Sequence, residues 1–151
     1  MSLNEGLVST LKCDHGKTHG IVYMNQINEG VLFQVFIKGL PPGKKGFHVH
    51  KRGNITEHCK TLDSHYNPDG FQHGGLNEPY SHRGDLGNLE INQYGELETS
   101  FISHKLTLIE LLGRSLVIHN QEDDLGRGND YESKTTGNSG SRLCCGVIGY
   151  A

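Results

Sequence analysis

The chain has 151 residues, with 14 Lys and Arg against 17 Asp and Glu for a formal net charge of −3, so its overall field offers no broad cationic surface for nucleic acid or anionic lipid. A hydrophobic fraction of 34% is enough for the core of one domain over residues 1–151, and no run approaches the roughly 18 apolar residues of a membrane span. The opening Met1-Ser2-Leu3-Asn4-Glu5 lacks the basic-then-apolar pattern of a secretory signal, which predicts a cytoplasmic protein.

The segments Gly20–Tyr23 and Val31–Lys38 are rich in β-branched and aromatic residues, and Asn28-Glu29-Gly30 lies between them, which predicts a hairpin. Leu40-Pro41-Pro42-Gly43 ends the second strand. Gly46-Phe47-His48-Val49-His50 begins another, whose period of two puts both imidazoles on one face. From Lys51 to Asp85 no periodicity persists, although loops beyond about 12–15 residues are uncommon without a functional tie. Strand character returns at Leu89-Glu90-Ile91, turns at Gln93-Tyr94-Gly95 and alternates through Leu97–Phe101. Leu106–Leu112 is too short to establish a helical period and is read as irregular. Ser115–His119 is a short strand, Asn120–Arg142 a second polar loop, and Leu143–Tyr150 a final strand. Roughly eight short strands, 21 glycines and no long helix predict an all-β sandwich or flattened barrel with two long functional loops.

Ten histidines in such a chain point to metal. His65, His73, His82 and Asp85, at steps of eight, nine and three residues, supply the four ligands of a tetrahedral zinc ion and would organise the long loop. His48, His50 and His119 sit on strands, a rigid mounting for a second metal that ligand type alone does not name. Asp123 and Asp124 are candidates to orient a histidine through its other ring nitrogen. Arg142 offers a planar donor fork for a small anion. Four cysteines are too sparse for a disulfide scaffold; neighbouring Cys144 and Cys145 do not suit a mutual bridge, and Cys59 to either of them is the economical pairing.

Together Gly46–His50, His65-Tyr66-Asn67-Pro68, His73-Gly74-Gly75, Gly84–Asn88, Asp123-Asp124-Leu125-Gly126, Gly137–Leu143 and Cys145–Gly149 resemble the copper/zinc superoxide dismutase family, in order and over essentially the whole chain. The resemblance implies an eight-stranded flattened Greek-key β-barrel, an immunoglobulin-like sandwich. It implies copper on His48, His50, His65 and His119, and zinc on His65, His73, His82 and Asp85, with His65 shared. It further implies an oxidoreductase that disproportionates superoxide to oxygen and hydrogen peroxide, with His65 as proton carrier and Arg142 as anion guide. By the same resemblance Asp123 links His48 to His73 and Cys59 pairs with Cys145; whether a copper-delivery protein loads the site is left open by the sequence. Cys13 and Cys144 have no place in that pattern and are read as small buried hydrophobes; Asp124 keeps a capping role. His15, His19, His58 and His104 match no ligand position, while Tyr66, Tyr80 and Phe101 are read as packing residues.

The chain departs from the family in two places. Lysines that often guide the anion are replaced by Gln121 and Thr135, with Lys134 the nearest substitute and Glu132 retained. Lys51 and Arg52 stand where an apolar aromatic usually serves the dimer contact; Leu112, Gly113, Ile148 and Tyr150 are the apolar residues left for a homodimer. Two other classes compete with the dismutase reading: a copper-binding chaperone or storage domain, and a zinc-only hydrolase.

Overall fold

A computed structural model describes residues 5–151; the opening residues 1–4, read above for a secretory pattern, lie outside the described residues. Among the described residues, nine strands form one antiparallel sheet: β1 Leu7–Cys13, β2 Thr18–Ile27, β3 Gly30–Lys38, β4 Gly43–His50, β5 Asp85–Ile91, β6 Glu96–Ser103, β7 Ser115–His119, β8 Arg142–Val147 and the two-residue β9 Gly149–Tyr150. Their order is β5-β4-β7-β8-β1-β2-β3-β6, with β9 beside β1. The chain therefore leaves the β1-β2-β3 meander, crosses to β4, returns to β6 beside β3 and crosses again to β7. This is a Greek-key barrel of eight principal strands, nearly closed because the edge strands β5 and β6 are chain neighbours joined by the Asn92–Gly95 turn.

The interior follows from alternation. Leu7, Ser9, Leu11 and Cys13 point inward from β1, and Val31, Phe33, Val35 and Ile37 supply β3. Phe101 stacks on Phe33 at 5.0 Å between centroids and meets Phe47 edge-on at 6.4 Å. Tyr66 joins this core, whereas Tyr80 is 76% exposed and only edges Phe71. Its packing assignment is thus corrected: its neighbour is another exposed ring, so no core contact holds it.

Three elements differ from the sequence expectation. Strand β1 is absent from that expectation, because Ser9 and Thr10 interrupt an apolar reading although the inward set keeps its period of two. Leu108–Leu111 forms a helical turn, α1, within the stretch read as irregular, because the Glu110 carboxylate accepts from the Thr107 backbone N–H at 2.7 Å and its hydroxyl at 2.8 Å. A second short helix, α2 Tyr131–Thr135, starts at Asp130, whose carboxylate accepts from Ser133 N–H. Among the described residues no helix is long and apolar enough to cross a membrane.

All four cysteines are bridged, Cys59 to Cys145 and Cys13 to Cys144. The second bridge corrects the reading of Cys13 and Cys144 as free hydrophobes. They are directly opposed residues of β1 and β8 with Cα atoms 4.1 Å apart, a neighbour relation visible only once the barrel wraps its last strand against its first. Consecutive residues of a strand face opposite sides, so Cys144 joins the barrel core while Cys145 lies with Cys59, Leu62 and Val117 in a smaller cluster outside it. The Cys13–Cys144 bridge spans 131 residues, but the Cys59–Cys145 bridge already shortens that path in the unfolded chain. Replacing both Cys13 and Cys144 with Ala is therefore expected to cost about 2–4 kcal/mol and roughly 5–15 °C in Tm, with metal content unchanged. A thermal melt beside metal analysis checks this; an unaltered melting temperature would show that the staple adds nothing.

Candidate metal centre

Six histidines and Asp85 converge at one end of the barrel, each buried to 6% exposure or less. Strand β4 delivers His48 and His50 and β7 delivers His119 at its exit, while the long loop supplies His65, His73 and His82 and ends at Asp85, the first residue of β5. That loop is anchored at His65 by an isolated antiparallel bridge to His50, and the Tyr66 N–H donates to the Val49 carbonyl at 2.8 Å. The sequence expectation that strand-borne and loop-borne histidines form two separate groups becomes, in space, two groups in contact. The His65 ring stacks on His48 with centroids 3.9 Å apart.

The ring nitrogens are sorted by their partners. Asp85 Oδ2 accepts from the backbone N–H groups of Gly74 at 2.9 Å and His82 at 3.0 Å. This leaves Oδ1 facing three imidazoles, 2.9 Å from His73 Nδ1, 3.2 Å from His65 Nδ1 and 3.2 Å from His82 Nδ1. Tetrahedral ligation with bonds of about 2.0–2.1 Å sets ligand atoms roughly 3.3 Å apart; the observed spacings match. With Nδ1 so placed, His65 offers its Nε2 to the other group.

In that group His50 donates from Nδ1 to the Asp63 carbonyl at 2.8 Å and His119 from Nδ1 to the Gly140 carbonyl at 3.0 Å, which leaves their Nε2 atoms facing one another at 3.4 Å. His48 has its Nε2 on Asp123, and its Nδ1 is fully buried with no hydrogen-bond partner. An orphaned nitrogen in a dry site normally costs stability, so a cation that takes this lone pair explains it. The potential ligand atoms of His48, His50, His65 and His119 lie within 4.8 Å of one another.

Electrostatics keep the group of His48, His50, His65 and His119 neutral. Burial pushes His48 and His50 well below the ordinary imidazole range, burial likewise lowers His65, and burial takes His119 down to about 4. A neutral imidazole is the ligating form. His73 differs: burial lowers it, but the flanking carboxylates of Asp123 and Asp85 outweigh burial and raise it to about 9.

Asp123 spans both groups, with Oδ2 2.7 Å from His48 Nε2 and Oδ1 2.6 Å from His73 Nε2. Sequence reasoning singles out Asp123 but gives no role to what holds it. Asn88 Oδ1 accepts from the Asp123 backbone N–H at 2.7 Å, and Asn88 Nδ2 donates to its carbonyl at 3.0 Å. Gly137, at φ +76°, passes so close that a Cβ there would land on Asp123 Oδ1 and His73 Nε2. Gly137→Ala is accordingly expected to displace the Asp123–His73 contact and lower zinc retention at least tenfold, read by chelator competition; unchanged retention would show that the backbone yields freely. Asp124 has the capping role expected of it, accepting from Gly126 N–H, Ser133 Oγ and Asn138 Nδ2.

A cavity of about 590 Å³ opens over His50, His65 and His119, with Arg142 on its wall. The Arg142 guanidinium donates to the Cys59 carbonyl at 2.7 Å and the Asp63 carbonyl at 2.6 Å, so the bridged loop aims it. Gln121, Glu132 and Thr135 also line the cavity. Lys134, the nearest substitute for a guiding lysine, instead turns its Nζ to the Gly126 carbonyl and is not among the cavity's lining residues.

A Greek-key barrel carrying two adjoining nests of buried imidazole, which share His48 and His65 and are overlooked by an arginine, defines a dinuclear metalloprotein open to a small anion. Residues 18–148 match the family model described as copper/zinc superoxide dismutase (SODC), and the chain belongs to that family. It is 41% identical over 148 residues to an extracellular superoxide dismutase [Cu-Zn] of Drosophila melanogaster, covering 95% of this chain and 82% of that one. It is 44% identical over 134 residues to the copper chaperone for superoxide dismutase of Homo sapiens, covering 88% of this chain and 49% of the chaperone, so it spans about half that protein's length. Among solved structures, that of the clock protein EA4 superposes with a TM-score of 0.93 at 33% identity, over 100% of this chain and 98% of that one.

Proposed function

We propose that the chain disproportionates superoxide, two superoxide anions and two protons becoming one oxygen and one hydrogen peroxide, with His48, His50, His65 and His119 holding copper and His65, His73, His82 and Asp85 holding zinc. The observation that carries this reading is the position of His65: its Nδ1 lies 3.2 Å from both Asp85 Oδ1 and His82 Nδ1, and the same ring clusters with His48, His50 and His119; His48 also falls within both groups, but its Nε2 is committed to Asp123. When bound, copper supplies the one-electron exchange that redox-inert zinc cannot, and zinc fixes the loop. Arg142 attracts superoxide and orients it by hydrogen bonding from its fork. His65 takes up a proton at Nε2 and passes it to the forming peroxide, while its Nδ1 stays committed to the Asp85 side. Asp123 keeps His48 and His73 in fixed tautomers by accepting from both Nε2–H groups.

Metal analysis with a superoxide-consumption assay tests the reading. One copper and one zinc per chain with turnover is the expected result; zinc alone in every preparation and no turnover after copper loading would overturn it and favour the hydrolase. Similarity to copper chaperones for superoxide dismutase supports a copper-delivery protein as partner. It also makes copper transfer without turnover the outcome that would identify a chaperone domain.

A homodimer is part of the same proposal. Arg52 is paired with Asp63 at 3.2 Å, which removes part of the cost of covering its charge, and Tyr150 is 53% exposed. Ile148, expected at this contact, is 1% exposed and contributes to the core instead, since it lies between β8 and β9 with its side chain inward. Sedimentation at several concentrations tests the dimer. A cytoplasmic location is also proposed; disulfides ordinarily mark an oxidising compartment, so it requires that both bridges persist in the presence of soluble thiols. Recovery of the protein only from culture medium would overturn it.

A further inference from the structure

His58, Cys59 and Cys145 form a third cluster apart from the two metal groups, with potential ligand atoms within 4.8 Å of one another. His58 matches no ligand position in the family pattern, yet its ring is aimed. Its Nε2 is 3.2 Å from the Lys12 carbonyl, to which it donates, and its Nδ1 lies 3.5 Å from Cys59 Sγ. A hydrogen bond from one ring nitrogen that turns the other toward a sulfur is the arrangement that prepares an imidazole for a metal; Asp14 Oδ1, 4.0 Å from the same Nδ1, is a contact the metal would displace. His58 also holds φ +55°, a backbone region costly for a residue with a Cβ and suited to Gly. A histidine kept in that conformation calls for a compensating use. The two sulfurs are buried, at 5% and 3% exposure, while the His58 side chain is 40% exposed, which gives the cluster a route to solvent.

We propose that in the dithiol form of the chain His58, Cys59 and Cys145 bind one soft monovalent cation, copper(I), and that closure of the Cys59–Cys145 disulfide abolishes this site. Two thiolates and one imidazole suit copper(I) by ligand softness. The balance is simple. Opening the disulfide takes two electrons and two protons from two thiol groups of a reductant, which leave as their own disulfide. The cation then replaces the two cysteine protons. The site is exclusive with the bridge, since each sulfur has one partner or the other, and its backbone is held by the Arg142 hydrogen bond to the Cys59 carbonyl. It therefore reports the redox state of the loop that aims Arg142. The inference stands independently of the dismutase reading.

The test uses the full chain carrying Cys13→Ala and Cys144→Ala, so that Cys59–Cys145 is its one disulfide, loaded with copper and zinc and either left with that bridge intact or reduced by dithiothreitol and desalted under anaerobic conditions. Copper(I) is titrated against a competing chelator, and X-ray absorption reports sulfur scattering. The reduced protein is expected to take up one more equivalent than the oxidised protein, with sulfur in its coordination sphere. His58→Gly, which removes the ligand and suits the positive φ, is expected to weaken that binding at least tenfold, and Cys145→Ser to abolish it. Equal uptake by oxidised and reduced protein would overturn the site. Equal affinity in the reduced parent and its His58→Gly variant would overturn the imidazole's part and, with it, the proposal.

Discussion

Alanine at Arg142 is expected to slow superoxide turnover roughly ten- to a hundredfold at low ionic strength while leaving metal content unchanged. Among the described residues lining the cavity, Arg142 is the only permanent cation and Glu132 the only carboxylate, within a chain of net charge −3. Electrostatic guidance can raise association by roughly 10–10³-fold and fades as salt shortens the screening length. Here that guidance is concentrated in one side chain, because Gln121 and Thr135 are neutral and Lys134 is committed elsewhere. Arg142→Lys should recover part of the rate by charge but not the two-carbonyl docking that only a planar fork makes. Stopped-flow decay of superoxide across a salt series measures both effects. A substituted protein as fast as the parent, or a parent rate indifferent to salt, would remove Arg142 from the mechanism.

Stripping both ions with a chelator is expected to lower stability by about 4 kcal/mol or more, which for a chain of this size is roughly 8–16 °C in Tm. The loop of residues 51–84 has no extended strand of its own, and three of its imidazoles gather on the single Asp85 oxygen. Without a cation the ligands lose that focus, and His48 Nδ1 is left unpartnered in the interior. A proton offsets part of the loss. Between Asp123 and Asp85, His73 is raised to about 9, so in the metal-free protein it carries positive charge at neutral pH.

The sign of the resulting pH dependence follows from that shift. A histidine whose folded value exceeds its unfolded one near 6.5 contributes stability in full below that pH and loses it as pH rises through about 9, a change on the order of 3 kcal/mol. The melting-temperature gap between metal-loaded and metal-free protein should therefore widen from about pH 6.5 to 9. Calorimetry of both forms checks it; a gap that narrows over this range would contradict the charge assigned to His73.

Much of this molecule is legible in its sequence. Spacing and strand pattern place His48 and His50 on one face, identify the long loop as needing an organiser and group His65, His73, His82 and Asp85 around one ion. Family resemblance then joins His119 and His65 to the copper set and pairs Cys59 with Cys145. Strand β1 escapes that reading although Leu7, Ser9, Leu11 and Cys13 alternate cleanly, because a serine at an inward position hides the apolar period. The capping box of α1 is present in Thr107 and Glu110 but is outweighed by the shortness of the turn.

Residue chemistry and short-range order are written in the chain: which side chains can ligate, and which positions share a face. What only the folded barrel decided is long-range adjacency. The opposition of Cys13 to Cys144, the grip of Asn88 on Asp123, the close passage of Gly137 and the docking of Arg142 on the Cys59 and Asp63 carbonyls all join residues distant in sequence. No local pattern encodes such pairs, because they depend on strand order and register, which are settled by burying all the inward faces of the sheet together.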